Sequence, residues 1–207
     1  MYNPAYLVMV TADANNNKFY RMIPNGDTFT AEYGRVGNGS FQKASYAISQ
    51  WNKKYNEKIK KGYQDRTNLV ADLITVEKEK SKIYIDIDNE SIAKIVARLQ
   101  LLARQVISDN YTIASKKVTK AMVEEAQIIL SNLLIIDCLE EFNKKLIELF
   151  SVIPRKMGRV ADYMAKDKND FGSIIQTEQD LLDVMKGQVT QHAITNERKM
   201  QQLPKKT

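Results

Sequence analysis

The chain has 207 residues, 43% of them hydrophobic and 27% charged, which is close to globular averages and argues against a disordered protein. No apolar run approaches the ~20 residues of a membrane span, and the N-terminal "MYNPAYLVMV" lacks the basic segment of a signal peptide. The net charge is +6, and residues 1–75 carry +4 of it, with ten Lys/Arg and six Asp/Glu. This excess of positive charge in the N-terminal part is typical either of a protein that binds a polyanion or of ordinary charge that keeps a protein soluble.

The N-terminal half reads as strands followed by one helix. "YLVMVT", "KFYRMI" and "TFTAEYGRV" are rich in strand formers, and the third alternates between two faces. Asn25-Gly26 predicts a type I′ hairpin turn, and Gly37 with Gly39 predicts a second turn. "KASYAISQWNKKYNEKIKK" carries apolar residues at helical spacing, so it predicts one amphipathic helix that ends at Gly62.

The C-terminal half reads as four helices with apolar stripes. Thr119 is a predicted N-cap, Pro154 is expected to end the third helix, and the last helix is expected between Ser173 and Gly187. The stripes consist of Ile92, Ile95, Val96, Leu99, Leu102 and Val106; Val123, Ala126, Leu130, Leu133 and Leu134; Leu139, Phe142, Leu146, Leu149 and Ile153; and Ile174, Leu181, Leu182 and Met185. Four such helices can bury one another as a bundle.

These elements predict an α+β fold, a small antiparallel β-sheet with one packed helix followed by an all-α helical bundle. The expected boundaries are an N-terminal domain at 1–75, a charged linker at 76–90, a helical domain at 91–190 and a polar tail at 191–207. The linker contains "KIYIDI", which suits either a short strand or an extended segment.

Few residues suit catalysis or metal binding. One cysteine and one histidine exclude an intrachain disulfide and a Cys/His zinc site. Cys138 lies in an apolar stretch and is expected to be a small buried hydrophobe, and His192 lies in a polar segment. The residues therefore predict no catalytic site and no metal site, and they favour a binding or regulatory protein.

Several motifs resemble a known family. "NNNKFY", "YGRVGNG", a lysine-rich helix carrying Trp51 and then "KKGY" resemble a WGR domain, the DNA-break-binding module of DNA-dependent poly(ADP-ribose) polymerases. Tyr33 stands where that family has tryptophan, while Gly34 and Arg35 match. "KKVTKAMVEEAQIILSNLL", "NKKLIELFSVIPRKM" and "IIQTEQDLLDVM" resemble that family's helical regulatory domain, although Arg155 replaces a histidine after Pro154. The resemblance covers roughly residues 5–190.

The resemblance implies sequence-independent binding to DNA nicks or duplex ends. Tyr33 would stack on an exposed base or sugar, and Arg35 and Lys18 would contact phosphates. Without the resemblance, Tyr33 is equally a core residue and Arg35 a side chain that covers apolar surface. The expected DNA-binding residues are Asn16, Asn17, Lys18, Tyr33, Gly34, Arg35, Gly37, Lys60, Lys61 and Tyr63.

The resemblance also implies a regulatory function. The helical domain would relay the DNA-bound state to an ADP-ribosyltransferase domain, in cis in a longer chain or in trans. No cofactor is expected in this chain, whereas NAD is expected for a linked catalytic domain. The alternatives are a stand-alone protein-interaction module and, least favoured, a complete ADP-ribosyltransferase. We expect an intracellular protein without a membrane partner, in the cytoplasm at the nucleoid if bacterial and nuclear if eukaryotic.

Overall fold

The computed structural model describes residues 2–36, 40–70, 90–111 and 118–201. Its N-terminal part is a five-stranded antiparallel sheet with strand order β4-β3-β2-β1-β5. The strands are β1 (Ala5–Thr11), β2 (Asn16–Asn25), β3 (Thr28–Arg35), β4 (Gln42–Ala47) and β5 (Gln64–Asp65). The three predicted strands are confirmed, because β1, β2 and β3 coincide with the three strand-forming runs.

The β2–β3 hairpin is confirmed, but its predicted turn type is wrong. Asn25 pairs with Thr28, so the two loop residues are Gly26 and Asp27. Only Gly26 has a positive φ in this turn, at 59°. A type I′ turn needs two positive φ values, whereas a glycine at the first central position suits a type II′ turn.

The predicted long helix is wrong over its first part. Residues 42–47 form β4, which pairs with β3 at the sheet edge; a short 3-10 helix (Ile48–Gln50) then leads into α1 (Trp51–Lys60). The apolar spacing of Ala44, Ala47 and Ile48 suits a helix, but β3 supplies backbone partners that no local pattern reveals. Gly62 has φ 88° and ends the helix as predicted.

The two faces of the sheet pack against different elements. Leu7, Met22 and Phe29 form one core with Trp51 of α1. Val8 and Val10 on the opposite face of β1 belong instead to the core of the helical region. Residues alternate between faces along a strand, so β1 links both cores. The sheet therefore lies between α1 and the helical region.

Among the described residues, five more helices follow β5, and four of them form the helical region. They are α2 (Thr67–Val70), α3 (Glu90–Asn110), α4 (Lys120–Leu133), α5 (Leu139–Val152) and α6 (Asp170–Gln201), with a 3-10 helix at Val160–Tyr163. Thr119 is the N-cap of α4 and accepts a hydrogen bond from the Met122 backbone N–H, as predicted. α5 ends before Pro154, also as predicted. The α+β fold class is thus confirmed.

Three expectations for the helical region are wrong. α6 begins at Asp170 and continues through Gly187 to Gln201, because a single glycine weakens a helix by only about 1 kcal/mol. Cys138 is exposed at the start of α5, not buried. The α3 stripe is largely solvent-exposed: Ile95 and Leu99 are each 61% exposed, whereas Ile107, outside the predicted stripe, is buried.

Two expectations fall outside the described residues. The turn at Gly37 and Gly39 is one, and residues 76–89 of the predicted linker are the other. Within the described part of the chain, no helix is long and apolar enough to cross a membrane.

Candidate nucleic-acid interface

A groove of about 460 Å³ opens at the end of the sheet where β3 and β4 meet. We call it the aromatic groove. Its nine lining residues are Lys18, Phe19, Tyr33, Gly34, Arg35, Ser40, Phe41, Gln42 and Tyr63. They include four aromatic rings and two cationic side chains, and none of the nine is acidic. The groove thus combines flat apolar faces with positive charge, the pairing that nucleic acids require.

The rings come from both faces of the sheet. Tyr33 pairs with Tyr20 across β2 and β3, and the two rings stack with centroids 5.7 Å apart. On the opposite face, Phe19 contacts Phe41 edge-to-face at 6.3 Å. Tyr33 is half-buried and Phe41 is 46% exposed. Tyr33 and Phe41 are therefore each held in place by another ring and still line the groove.

Lys58 of α1 lies beside the groove in a tyrosine cluster. Its Nζ is 4.3 Å from the centroid of the Tyr20 ring and 5.6 Å from that of Tyr63. Burial, with the neighbouring charge of Lys61, lowers the pKa of Lys58. Burial also raises the pKa of the Tyr63 hydroxyl. Lys58 thus contacts Tyr63, one of the groove rings, through a cation–π pair.

Arg35 lines the groove, but its guanidinium bridges to the helical region. Nη2 donates to the carbonyl oxygens of Gly158 at 2.8 Å and Met157 at 3.3 Å. Nη1 donates to the Asn15 carbonyl at 2.8 Å, and Nη2 also contacts Asn15 Oδ1 at 3.2 Å. These four contacts occupy most of the guanidinium N–H donors of Arg35, which the sequence analysis expected to contact phosphate. Arg35 thus joins the groove to residues 157 and 158.

The asparagines of "NNNKFY" have structural partners. Asn17, a predicted DNA contact, is fully buried and donates through Nδ2 to the Arg155 carbonyl at 3.0 Å. It therefore cannot reach a ligand in this structure, and the prediction for it is corrected on grounds of burial. Asn16 donates to the Thr11 hydroxyl. Asn15, which was not predicted, has φ 47°, and its Oδ1 accepts from the Val160 N–H.

The remaining predicted residues lie in or near the groove. A Cβ on Gly34 would lie 3.4 Å from Phe41 Cβ, so a side chain here would contact the groove wall. Lys60 and Lys61 are exposed just before Tyr63, and Lys61 pairs with Glu57 at 2.7 Å. Gly37 lies outside the described residues. The structure thus brings Lys18, Tyr33, Gly34, Arg35 and Tyr63 together in one groove.

Sequence reasoning missed four lining residues. Phe19 belongs to the quoted "NNNKFY" run, but only the strand register shows that it reaches the same end of the sheet as Gly34. Ser40, Phe41 and Gln42 lie between the glycine-rich turn and the helix predicted from Lys43, and β4 in fact begins at Gln42. The correct strand assignment would have placed these three residues beside Tyr33.

The described residues show no sign of metal chemistry. Among them, no group of three or more His, Cys, Asp or Glu side chains is arranged to hold a metal ion.

Comparison with known proteins identifies the N-terminal region. Residues 3–70 match the WGR domain family. The chain is 34% identical over 195 residues to the uncharacterized protein 101L of invertebrate iridescent virus 6, covering 92% of this chain and 79% of that protein. A crystal structure of a Bacteroides fragilis protein aligns at 17% identity and TM-score 0.28, covering 64% of this chain and 39% of that one. The chain therefore carries a WGR domain and belongs to the same family as the iridescent virus protein 101L.

Proposed function

We propose that this chain binds DNA at strand breaks through the aromatic groove, without reading base sequence. A WGR domain indicates nucleic-acid binding, and the groove is the described surface that joins exposed rings to cations. The observation that carries the proposal is the position of Tyr33. Its ring lines the groove beside Lys18 and Arg35, where a break would present an unstacked face and phosphates.

The roles follow from chemistry at each position. Tyr33 offers a stacking face worth ~1–3 kcal/mol per base. Lys18 is exposed and supplies a phosphate contact, and Lys60 and Lys61 extend the positive surface past the end of α1. None of these groups is a bidentate reader of base edges, so affinity depends on the break and the salt concentration.

A nicked duplex and an intact duplex of equal length test this function by fluorescence anisotropy. The nicked duplex should bind more tightly, and two unrelated sequences should bind equally. Tyr33→Leu keeps apolar volume but removes the flat face, so we expect at least fivefold weaker binding. Lys144→Ala, an exposed lysine on α5, is the matched control and should change nothing. Equal affinity for nicked and intact DNA would contradict break recognition.

We further propose that the helical region relays the bound state. Arg35 touches both the groove and the carbonyls of residues 157 and 158, and Asn17 ties the sheet to Arg155. A ligand in the groove can therefore shift the segment 155–160 by competing for Arg35 or by fixing it. In the poly(ADP-ribose) polymerases that the sequence resembles, such a domain controls an NAD-dependent transferase. Hydrogen exchange at residues 155–160 should change when nicked DNA binds, and no change would refute the relay.

A second candidate function, a protein-interaction module, is favoured by α3. Ile95, Leu99 and Leu102 are spaced at four and three residues and are 48–61% exposed, which suits contact with an apolar partner surface. That partner would be an ADP-ribosyltransferase domain if the relay operates. The same titration separates the two functions, since a pure interaction module binds no DNA even at low salt.

A further inference from the structure

The aromatic groove offers more space than a single stacking face. A ring that only caps a duplex end needs one flat face, whereas this open groove has a volume of about 460 Å³. That volume lies within the ~300–1,000 Å³ of sites that enclose small ligands. A single unpaired nucleotide is small enough to enter.

The walls suit a base. Tyr33 and Phe41 line the groove from opposite faces of the sheet, and each is backed by a second ring, Tyr20 at 5.7 Å and Phe19 at 6.3 Å. A base that packs against these rings gains stacking without any sequence preference, since every base has a flat face. Gly34 allows Phe41 and Ser40 to approach β3 closely, because a Cβ there would already contact both residues.

The polar groups suit the rest of a nucleotide. Lys18 and Arg35 pair in register across β2 and β3, so both cations lie at the same end of the groove. Lys18 is exposed and free to meet a phosphate, while Ser40 and Gln42 add neutral donors and acceptors at the rim. Acidic side chains, which would repel a phosphate, do not occur among the nine lining residues.

We propose that the aromatic groove captures one unpaired nucleotide beside a break, with its base packed against the rings of Tyr33 and Phe41 and its phosphate at Lys18. This inference rests on the proposed DNA-binding function and narrows its ligand from any break to gaps and overhangs. An unpaired nucleotide has little or no pairing energy to give up, so its extrusion costs less than that of a paired one.

The test uses a duplex with a one-nucleotide gap, whose continuous strand leaves one nucleotide unpaired. Two probes are compared, one with 2-aminopurine and one with an abasic site at that position, so that both carry the same phosphates. The 2-aminopurine gap should bind about 5- to 150-fold more tightly, from ~1–3 kcal/mol of stacking. Its fluorescence should fall on binding.

Phe41 supplies the deciding variant because it lines the groove and is 46% exposed. Phe41→Leu keeps apolar volume and Phe41→Ala removes it; both should bring the two probes to equal affinity while abasic-gap binding persists. Ile128→Ala, an exposed apolar residue on α4, is the matched control. Equal affinity for both probes in the parent protein would overturn the nucleotide site while leaving break binding intact. Failure to bind either probe, or a nicked duplex, would overturn both.

Discussion

Asn17 and Lys18 are neighbours in β2, and the sequence assigned both to DNA, but they point to opposite faces of the strand. Asn17 is fully buried against the helical region, whereas Lys18 is exposed and lines the aromatic groove. We therefore expect opposite effects from replacing each with alanine. Asn17→Ala should lower stability and leave the DNA affinity of the folded protein unchanged. Lys18→Ala should leave stability nearly unchanged and lower the affinity for DNA.

The magnitude for Asn17 follows from its single hydrogen bond. Removing Nδ2 leaves the Arg155 carbonyl without that donor, and an unpaired buried group costs ~1–3 kcal/mol. Asn17 Oδ1 is buried without a hydrogen-bond partner among the described residues. Removing this oxygen is stabilising, which offsets part of the loss. A net loss of about 1–2 kcal/mol is expected. For a chain of this size each kcal/mol lowers Tm by ~2–4 °C, so Tm should fall by ~2–8 °C.

Lys18→Ala removes one exposed cation, and its effect on stability should stay within ~0.5 kcal/mol. The slope of log Kd against log salt should fall by about 1, the loss of one phosphate contact. Differential scanning fluorimetry and anisotropy on a nicked duplex measure the two effects side by side. A stable Asn17→Ala protein with weakened DNA binding would refute the assignment of Asn17 to the domain contact.

Two further predictions concern pH and the Arg35 bridge. Burial alone would raise the pKa of Asp65, but hydrogen bonds from Thr67 and Tyr55 outweigh burial and lower that pKa. These hydrogen bonds therefore stabilise the folded protein above pH ~3.8, and the stabilisation is lost as pH falls through the pKa of Asp65 in the folded state. Tyr55→Phe should therefore lower the free energy of unfolding by under ~1 kcal/mol at neutral pH, because the Tyr55–Asp65 hydrogen bond is solvent-exposed. The difference in stability from the parent protein should vanish in acid. A difference in thermal unfolding that does not depend on pH would contradict this prediction. Arg35→Ala should speed hydrogen exchange at residues 155–160 and remove its response to nicked DNA; unchanged exchange would refute the bridge.

Local pattern was sufficient for most of the sheet. Phe29, Ala31 and Tyr33 alternate with polar residues, and the structure places β3 as this alternation requires. β4 was missed because Ala44, Ala47 and Ile48 fit helical spacing, while Ala44 and Tyr46 fit strand alternation over the same short stretch. The backbone hydrogen bonds that β3 offers decide between the two, and they involve residues outside that stretch.

The candidate site was only partly predictable for a related reason. Residues that meet through strand register, such as Lys18 and Arg35, were grouped correctly by the resemblance. The partners of Asn17 and Arg35 lie 138 and 122 residues away in sequence, so no nearby pattern indicates them. The α3 stripe was taken as core because periodicity shows which residues share a face but not what covers that face.

The most direct measurement is a titration of the isotope-labelled protein with a nicked duplex, monitored by amide chemical shifts. Binding at the aromatic groove predicts the largest changes at Lys18, Phe19, Tyr33, Phe41 and Tyr63, with smaller changes at residues 155–160. Changes confined to the exposed face of α3, or none at all at low salt, would contradict DNA recognition by this sheet.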